Sequence, residues 1–481
     1  MSLKKQAISG MIWTYSQQFG SQLITFVVSL VLTRLILPEE FGLIGMIAIF
    51  MGIGTALFDG GLTSSLIRSK DLNQDDYSTV FYFNFAGSVI MYLILFFIAP
   101  LIAKFYHQPA LIKLTRVYGI TFILAAFGAV QNTILTSELK FKKQAMISLP
   151  AIIISSSVGL WMAYYDYGVW SLVGTALINA LLTSLFLWFS SSWYPTITFS
   201  KEKFRKHFHY GYKLTLSSVL DIIFTNIYQI VIGRFYSAAQ VGYYTRANTL
   251  MMLPVGNVSA ALNRVVFPLF AQVQNDIPRF KKAYKQIMQM VLFIITPVIV
   301  IMAFLAEPLI LFLFGQNWLP VVPIFQIICF TGILYPIHLY NLLVLQVKGR
   351  SDLFLKLEVA KKILLSVILA ISFFFGFYAL LWGQLIFSIV ALIINTHFAG
   401  NMLMYKTSEQ LKDIFPIFLL IIPMGSILLI FNYLLTEYNL LIQLFVGASA
   451  GAISYFGIAW LFKFETINDI KNLIKKNDTS N

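Results

Sequence analysis

Apolar runs of about twenty residues recur along the whole of this 481-residue chain, and no other feature limits its folding so sharply. In hydrocarbon an unpaired backbone N–H or C=O costs several kcal/mol, so a spanning segment must be an α-helix or part of a closed β-barrel. Barrel strands alternate apolar and polar residues over about ten positions, and these runs do not alternate. The sequence therefore predicts an all-α polytopic membrane protein. We read 14 transmembrane helices, near residues 10–36, 41–66, 78–103, 112–136, 144–165, 168–190, 212–235, 241–271, 285–305, 319–346, 354–375, 378–403, 412–434 and 439–462. Charged residues make up only 11% of the chain, against about a quarter in a soluble domain. The first run follows Lys4 and Lys5, is too long for a signal peptide and has no small-residue cleavage site, so it reads as the first span. The single cysteine, Cys329, lies in an apolar run, which leaves no disulfide framework.

A net charge of +14 would fit a nucleic-acid binder, but its distribution says otherwise. The loops between runs fall into two alternating series. One series holds Lys4 and Lys5, Arg68 and Lys70, Lys140 to Lys143, the segment SKEKFRKHFHYGYK, RFKKAYK, VKGRSDLFLKLEVAKK, Lys406, Lys412 and the tail from Lys463. It carries 27 of the 34 Lys and Arg; the other series carries six, and Arg264 lies within a run. Positive residues stay on the cytoplasmic side, so both termini are expected there. The basic excess then reflects topology and contact with membrane lipids, and no nucleic-acid partner is expected.

The two halves repeat. LTRLILPEEFGLIG (32–45) aligns with IGRFYSAAQVGYYT (232–245), matching Arg34 with Arg234 and Gly42 with Gly242 at an offset of 200. APLIAKFYHQP matches EPLILFLFGQN at 208, and Asn132 with Asn341 and Gly174 with Gly383 follow at 209. Four matches in one order, with a slowly drifting offset, mark an internal duplication. The expected organisation is an N-terminal six-helix bundle (1–198), a cytoplasmic inter-bundle loop (199–211), a C-terminal six-helix bundle (212–404), two extra transmembrane helices (405–462) and a cytoplasmic tail (463–481). Six spans per repeat give both bundles one orientation, related by a pseudo-two-fold axis along the membrane normal. Such bundles usually enclose a central cleft.

That cleft needs polar helix faces, and the sequence supplies them. Span one carries Thr14, Gln18, Gln22, Thr25, Ser29 and Thr33 at helical spacing, and span seven carries Ser218, Asp221, Thr225 and Gln229. In span eight Arg246, Asn257 and Arg264 are 11 and 7 residues apart, within about 20° of one face. Serine and threonine also serve simply to pack helices closely. Arg34 and Arg234 at helix ends suit snorkelling as well as they suit a cleft rim. Arg264, well inside its run, is harder to explain without a function.

These segments resemble a known family. RLILPEEFG, DGGL, RSKDLNQDDYSTVFYFN, PLIAKFYHQP and GYYTRANTLMMLPVGNVSAALNRVVFPLF are similar to the polysaccharide transporter family, within the multidrug/oligosaccharidyl-lipid/polysaccharide exporter superfamily. The likeness runs from about residue 8 to 400. It implies a flippase that carries an undecaprenyl-pyrophosphate-linked oligosaccharide from the inner to the outer leaflet by alternating access. The glycan would serve O-antigen, lipopolysaccharide, capsule or exopolysaccharide biosynthesis, with a polysaccharide polymerase complex as partner. A monomer suffices for this. No cofactor is expected, and a coupling ion, proton or sodium, is left open. Arg246 and Arg264 would offset the pyrophosphate charge, with Arg34 and Arg234 at the rim. Gln18, Gln22, Asn226, Gln229 and Asn257 would meet sugar hydroxyls. Asp59, Asp221 and Arg68 are candidates for gating or coupling.

Other functions fit less well. No GxxxxGK[ST] run is present for nucleotide binding, and GIGTAL lacks the third glycine of a dinucleotide motif. The five histidines are scattered, and His207 and His209 read as solvated interfacial residues in a basic loop, not as metal ligands. The chain is therefore not expected to be an enzyme. A drug/cation antiporter of the same superfamily is the main rival; those commonly carry a carboxylate in the first span, and here none precedes Glu39. LFGQNW (313–318) is expected to be an external aromatic turn, anchoring at the interface or stacking on sugar. FDGGLTSSLIR (58–68) places Asp59 inside an apolar run. Two roles are open for it: an ionic contact with Arg264 on the opposite bundle, or a cap on a helix turn resumed after Gly60-Gly61.

Overall fold

The computed structural model describes residues 3–69, 71–464 and 466–467, with the backbone alone for residues 3–12 and 260–265. All regular structure in that range is helical. By packing, the chain forms two compact units, Met1–Gly242 and Tyr243–Asn481. The first contains α1 (Leu3–Leu35), α2 (Pro38–Asp59), α3 (Leu62–Arg68), α4 (Gln74–Tyr106), α5 (Ala110–Tyr118), α6 (Ile120–Ser137), α7 (Phe141–Tyr164), α8 (Val169–Ser190), α9 (Lys201–Thr225) and α10 (Ile227–Phe235). Helix α11 (Ala238–Val273) starts in the first unit and continues into the second. The second unit goes on with α12 (Ile277–Phe304), α13 (Ala306–Leu313), a 3-10 turn at Gln316–Trp318, α14 (Val321–Val347), α15 (Ser351–Phe373) and α16 (Phe377–Leu403). It ends with α17 (Thr407–Leu419), α18 (Ile421–Leu434) and α19 (Leu440–Leu461).

Among the described residues eleven segments are long and apolar enough to cross a membrane, and the α9–α10 pair, bent by 50°, makes a twelfth. The other two runs anticipated from sequence are also helical but more polar. Helix α11 carries Arg246 and Asn257, and the first half of α15 carries Lys356, Glu358, Lys361 and Lys362. The Glu358–Lys361 ion pair within α15 closes at 2.5 Å. Just before it, Arg350 Nε and Nη2 each donate to an Asp352 oxygen at 2.9 Å, and this bidentate bond holds the Asp352 carboxyl down to about 2.

Local sequence explains where helices start and stop. Asn73 accepts from the Asp76 N–H while Asp76 accepts from the Asn73 N–H, a reciprocal cap that opens α4. Ser200 and Asp276 cap α9 and α12 one way only, each side chain accepting from the N–H of Lys203 or Arg279. Between α2 and α3 both Gly60 (φ +57°) and Gly61 (φ +68°) adopt the left-handed conformation, which glycine alone takes without penalty.

In the first unit α1 lies on α7, α7 on α8, α8 on α6, and α4 contacts α2, α5 and α6. Helix α9 runs antiparallel along α2 and α3: Gly52 packs on Ile222, and Gly61 on Gly211. The last contact is backbone on backbone, since a Cβ on Gly211 would sit 2.1 Å from the Gly60 carbonyl oxygen. Nearby, Phe81 is ringed by Phe85, Phe127, Trp188 and Trp193, fixing α3, α4, α6 and α8 around one aromatic core. In the second unit α12 contacts α14, α17, α18 and α19, while α16 pairs with α14 and α15. Trp318 is fully buried against Tyr243 and Phe314. It is therefore a core residue, not the interfacial anchor or sugar platform anticipated for LFGQNW; the turn folds inward because Gly315 (φ +90°) reverses the chain.

The duplicated helix starts meet each other. Glu40 accepts from the Leu37 N–H, and at an offset of 200 Gln240 accepts from the Ser237 N–H. A Cβ on Gly42 would lie 1.7 Å from the Ala238 carbonyl oxygen, and one on Gly242 would lie 2.1 Å from that of Pro38. The contact is reciprocal, as between two copies of one motif. Gly42→Ala is expected to destabilise the purified protein by about 1–3 kcal/mol, read as a lower melting temperature in detergent. Gly457→Ala, where an added Cβ meets nothing within 4 Å, should stay near wild type.

Candidate functional site

The basic end of the first unit holds a buried polar cluster. Asp76 and His207 are both completely buried. His207 Nε2 lies 3.1 Å from Asp76 Oδ1, and His207 Nδ1 lies 2.8 Å from Ser65 Oγ. Lys203 Nζ donates to Asp76 Oδ2 at 3.1 Å, where the Asn73 N–H also donates. A neutral imidazole protonated on Nε2 satisfies every partner: it donates to Asp76 and accepts from the Ser65 hydroxyl. Three helices, α3, α4 and α9, are joined at this point. The expectation of solvated histidines holds for His209, which is exposed, and fails for His207. Burial follows from the partners: a carboxylate and a hydroxyl, 131 and 142 residues away in sequence, pair with both ring nitrogens. Spacing gave a partial signal, since Lys203 and His207 are four apart on one helix face and Asp76 belongs to a recognisable cap.

Asp59 ends α2 in a half-buried position. It accepts from Asn84 Nδ2 at 3.4 Å, and the Thr63 hydroxyl and the N–H groups of Gly61 and Thr63 turn toward it. The carboxylate thus faces the first turn of α3, the arrangement of a cap on a resumed helix. Its anticipated contact with Arg264 falls on a side chain outside the described residues, as do the side chains of Lys4 and Lys5 and all of Lys70. Arg68 is exposed, with its guanidinium 4.6 Å from the Tyr210 ring centroid on α9.

On α1 the face toward α7 is set by Gln17, which donates to Ser148 Oγ at 2.7 Å, and by Gly20 against Leu149. Gln18 and Thr25 are exposed, Gln22 is half-buried, and Thr33 is buried with its hydroxyl on the Ser29 and Leu30 carbonyls. Arg34 and Asp221 are exposed, and Gln229 is half-buried. Asn226 occupies the α9–α10 break, its Nδ2 donating to the Ile222 carbonyl at 2.8 Å. Arg234 is held at the end of α4: it donates to the Phe105 carbonyl and approaches His107 Nδ1, both at 2.7 Å.

In the second unit Arg246 is half-buried on α11, and Asn257 is exposed with Nδ2 on the Leu253 carbonyl at 2.9 Å. A polar group that the stripes did not reveal lies among α14, α15 and α16. His338 Nε2 is 2.9 Å from Ser388 Oγ, its Nδ1 is 3.2 Å from Asn395 Nδ2, and Lys361 on α15 is buried. An ionisable residue within an apolar run was the available signal. Polar bonds also fasten α17 to α12: Lys281 to Glu409 at 2.7 Å, Lys285 to Asp413 at 2.9 Å, and Gln289 to the Asp413 carbonyl at 2.8 Å. Among the described residues no group of three or more His, Cys, Asp or Glu is placed to hold a metal ion.

A family model described as polysaccharide biosynthesis protein matches residues 31–323. The teichuronic acid biosynthesis protein TuaB of Bacillus subtilis (strain 168) is 25% identical over 464 residues, covering 94% of this chain and 95% of that protein. The lipopolysaccharide biosynthesis protein WzxC of Escherichia coli (strain K12) is 25% identical over 370 residues, covering 76% and 74%. Among solved structures, the lipid II flippase MurJ in an inward closed conformation superposes with a TM-score of 0.73 at 14% identity, over 95% of this chain and all of that one. At that identity the likeness speaks for the fold.

The buried cluster makes a stability test. Asp76→Ala leaves Lys203 and His207 without their acceptor and is expected to cost roughly 3–5 kcal/mol. The check is thermal unfolding of the purified protein. Asp76→Asn, which keeps an acceptor for the cap and loses the charge, should fall between it and wild type.

Proposed function

From the premise that this chain belongs to the polysaccharide biosynthesis protein family, we propose that it is a flippase for undecaprenyl-pyrophosphate-linked oligosaccharide repeat units. It moves them from the inner to the outer leaflet of the bacterial cytoplasmic membrane for surface polysaccharide synthesis. The family and the fold are those of membrane transporters, not enzymes. The observation that carries the substrate reading is the chemistry of the polar helix faces. Span one offers amides and hydroxyls with no carboxylate before Glu39, while α11 places Arg246 about two turns inside the start of a 36-residue helix. Neutral hydrogen-bonding groups suit sugar hydroxyls, and an arginine within the membrane suits a pyrophosphate. A cation antiporter needs the opposite sign of charge.

The finer architecture belongs to the same proposal. Fourteen crossings put both termini in the cytoplasm, by the distribution of Lys and Arg. Two six-helix repeats, 1–198 and 212–404, precede two additional spans. The matched caps at Leu37–Glu40 and Ser237–Gln240 and the reciprocal Gly42 and Gly242 contacts support the duplication. Alternating access then exposes the polar faces to one leaflet at a time. The pyrophosphate meets Arg246 and Arg264, the sugars meet Gln18, Gln22, Asn226, Gln229 and Asn257, and Arg34 and Arg234 mark the outer rim. Asp59, Asp221 and Arg68 are the proposed gating or coupling residues.

Deleting the gene is expected to abolish surface glycan and leave lipid-linked oligosaccharide on the inner leaflet. Unchanged glycan with raised sensitivity to cationic dyes would instead mark a drug antiporter. Complementation with Arg246→Gln should restore translocation to about a tenth of wild type or less, the loss of one charge-assisted bond to phosphate.

A further inference from the structure

The first three turns of α9 carry three parallel rows, each stepping by four residues along the helix. One row is Lys203, His207 and Gly211. It is fixed inside the first unit, through Asp76 and Ser65 at one end and backbone contact with Gly61 at the other. The second row is Phe204, Phe208 and Tyr212, whose rings follow one another at centroid spacings of 5.2 and 5.9 Å. The third is Arg205, His209 and Lys213, all exposed. At about 100° per residue the rows occupy adjacent sectors of the helix surface. The buried row leaves α9 no rotational freedom, so the other two point in fixed directions.

Within the buried cluster Lys203 and the neutral His207 share the Asp76 carboxylate. Among the described residues no ion pair engages Arg205, His209 or Lys213, and Glu202, at the start of the same face, is the single acid on these turns. Lys206 and Arg68, both exposed, flank the row, and Arg68 is steadied over Tyr210. Beyond Lys213 the same face continues with Leu216 and Leu220, which are 62% and 45% exposed. A row of Arg205, His209 and Lys213 followed at once by exposed leucines, with aromatic rings alongside, matches an amphiphile that has an anionic head and an apolar chain. Arg205 and Lys213 with the flanking Lys206 and Arg68 make four cations, and the His209 ring adds an N–H donor; together they exceed what a single phosphodiester charge needs, and they match a diphosphate.

We propose that the Arg205–His209–Lys213 face of α9 is a loading site that captures the diphosphate head of the polyprenyl-linked substrate at the inner leaflet. It acts before the substrate reaches the polar faces assigned to translocation. The proposal rests on the flippase reading and adds a second, peripheral contact for the same lipid. The buried row is its mounting, and the aromatic row places it at headgroup depth.

The test uses the full chain in detergent, with a cysteine placed at the start of the face by Glu202→Cys. The only natural cysteine, Cys329, is buried. Undecaprenyl diphosphate is expected to slow labelling of that cysteine by a charged maleimide, and phosphatidylglycerol to do so much less. In an Arg205→Gln/Lys213→Gln background, half-protection should need roughly thirtyfold more undecaprenyl diphosphate. The charge-conserving Arg205→Lys/Lys213→Arg background should protect as before, and Lys356→Gln/Lys412→Gln controls for net charge. Absence of protection, equal protection by phosphatidylglycerol, or protection that survives neutralisation would each overturn the site. Translocation in the deletion strain is read separately. Intact flipping with an unprotected cysteine removes the loading site and keeps the flippase, whereas protection without flipping does the reverse.

Discussion

A backbone that crosses hydrocarbon must satisfy its own hydrogen bonds, and this chain meets that requirement with helix almost everywhere. The informative places are those where a helix stops inside an apolar run. At Gly60-Gly61 the turn is released by two left-handed glycines, and the Asp59 carboxylate faces the resumed turn. At Asn226 the side-chain amide takes up the Ile222 carbonyl as the axis bends by 50°. Each break recruits a polar side chain to a depth where polar groups are otherwise rare. Asp59 and Asn226 sit at these two breaks for that physical reason. A bundle of unbroken apolar helices would have neither the polar groups nor the bends that alternating access needs.

Helix α9 shows how packing and sequence duplication answer different questions. The proposed duplication would assign its transmembrane part to the second repeat, beginning at residue 212, while packing groups α9 and α10 with the first unit. The physical cause is at the basic end. A backbone contact at Gly61 and Gly211 brings α9 close enough for His207 to reach Ser65 and Asp76, and the cluster then holds it there. Glycine sets the distance and the polar bonds set the rotation. Neither alone would orient the outward rows of α9.

The helices were legible in the sequence because lipid demands long apolar runs, and the paired helix starts because the aligned segments share a cap and a close glycine. Asp59 was legible as an anomaly, and its cap was one of two readings that spacing allowed. Burial of His207 and Trp318 was not legible. A histidine in a basic loop looks solvated until an aspartate 131 residues earlier is placed beside it. Trp318 looks like an anchor until Gly315 turns it into the core beside Tyr243. On α1, Gln17 and Gln18 are neighbours of one type. One bonds Ser148 and the other is exposed, a division fixed by α7 and not by α1 itself. His338 escaped because its partners, Ser388 and Asn395, lie on another helix, 50 and 57 residues further along the chain.

The polar groups on these helices serve two ends at once. The groups suited to sugar hydroxyls are the groups that repair helix backbones. Asn226 and Asn257 each spend an amide N–H on a carbonyl four residues back. That bond costs neither residue its side-chain oxygen, which stays an acceptor in a fixed direction. A side chain anchored to its own helix loses little entropy when a hydroxyl donates to it, so these asparagines are pre-organised acceptors. Many sugars present equatorial hydroxyls that could use them, and discrimination would rest on spacing between acceptors more than on their type. Phosphate recognition differs, because it needs arginine or lysine, and few of these occur within apolar runs. On the flippase proposal, arginine and lysine within apolar runs mark the lipid-phosphate end, while amides and hydroxyls serve the glycan through groups of general use.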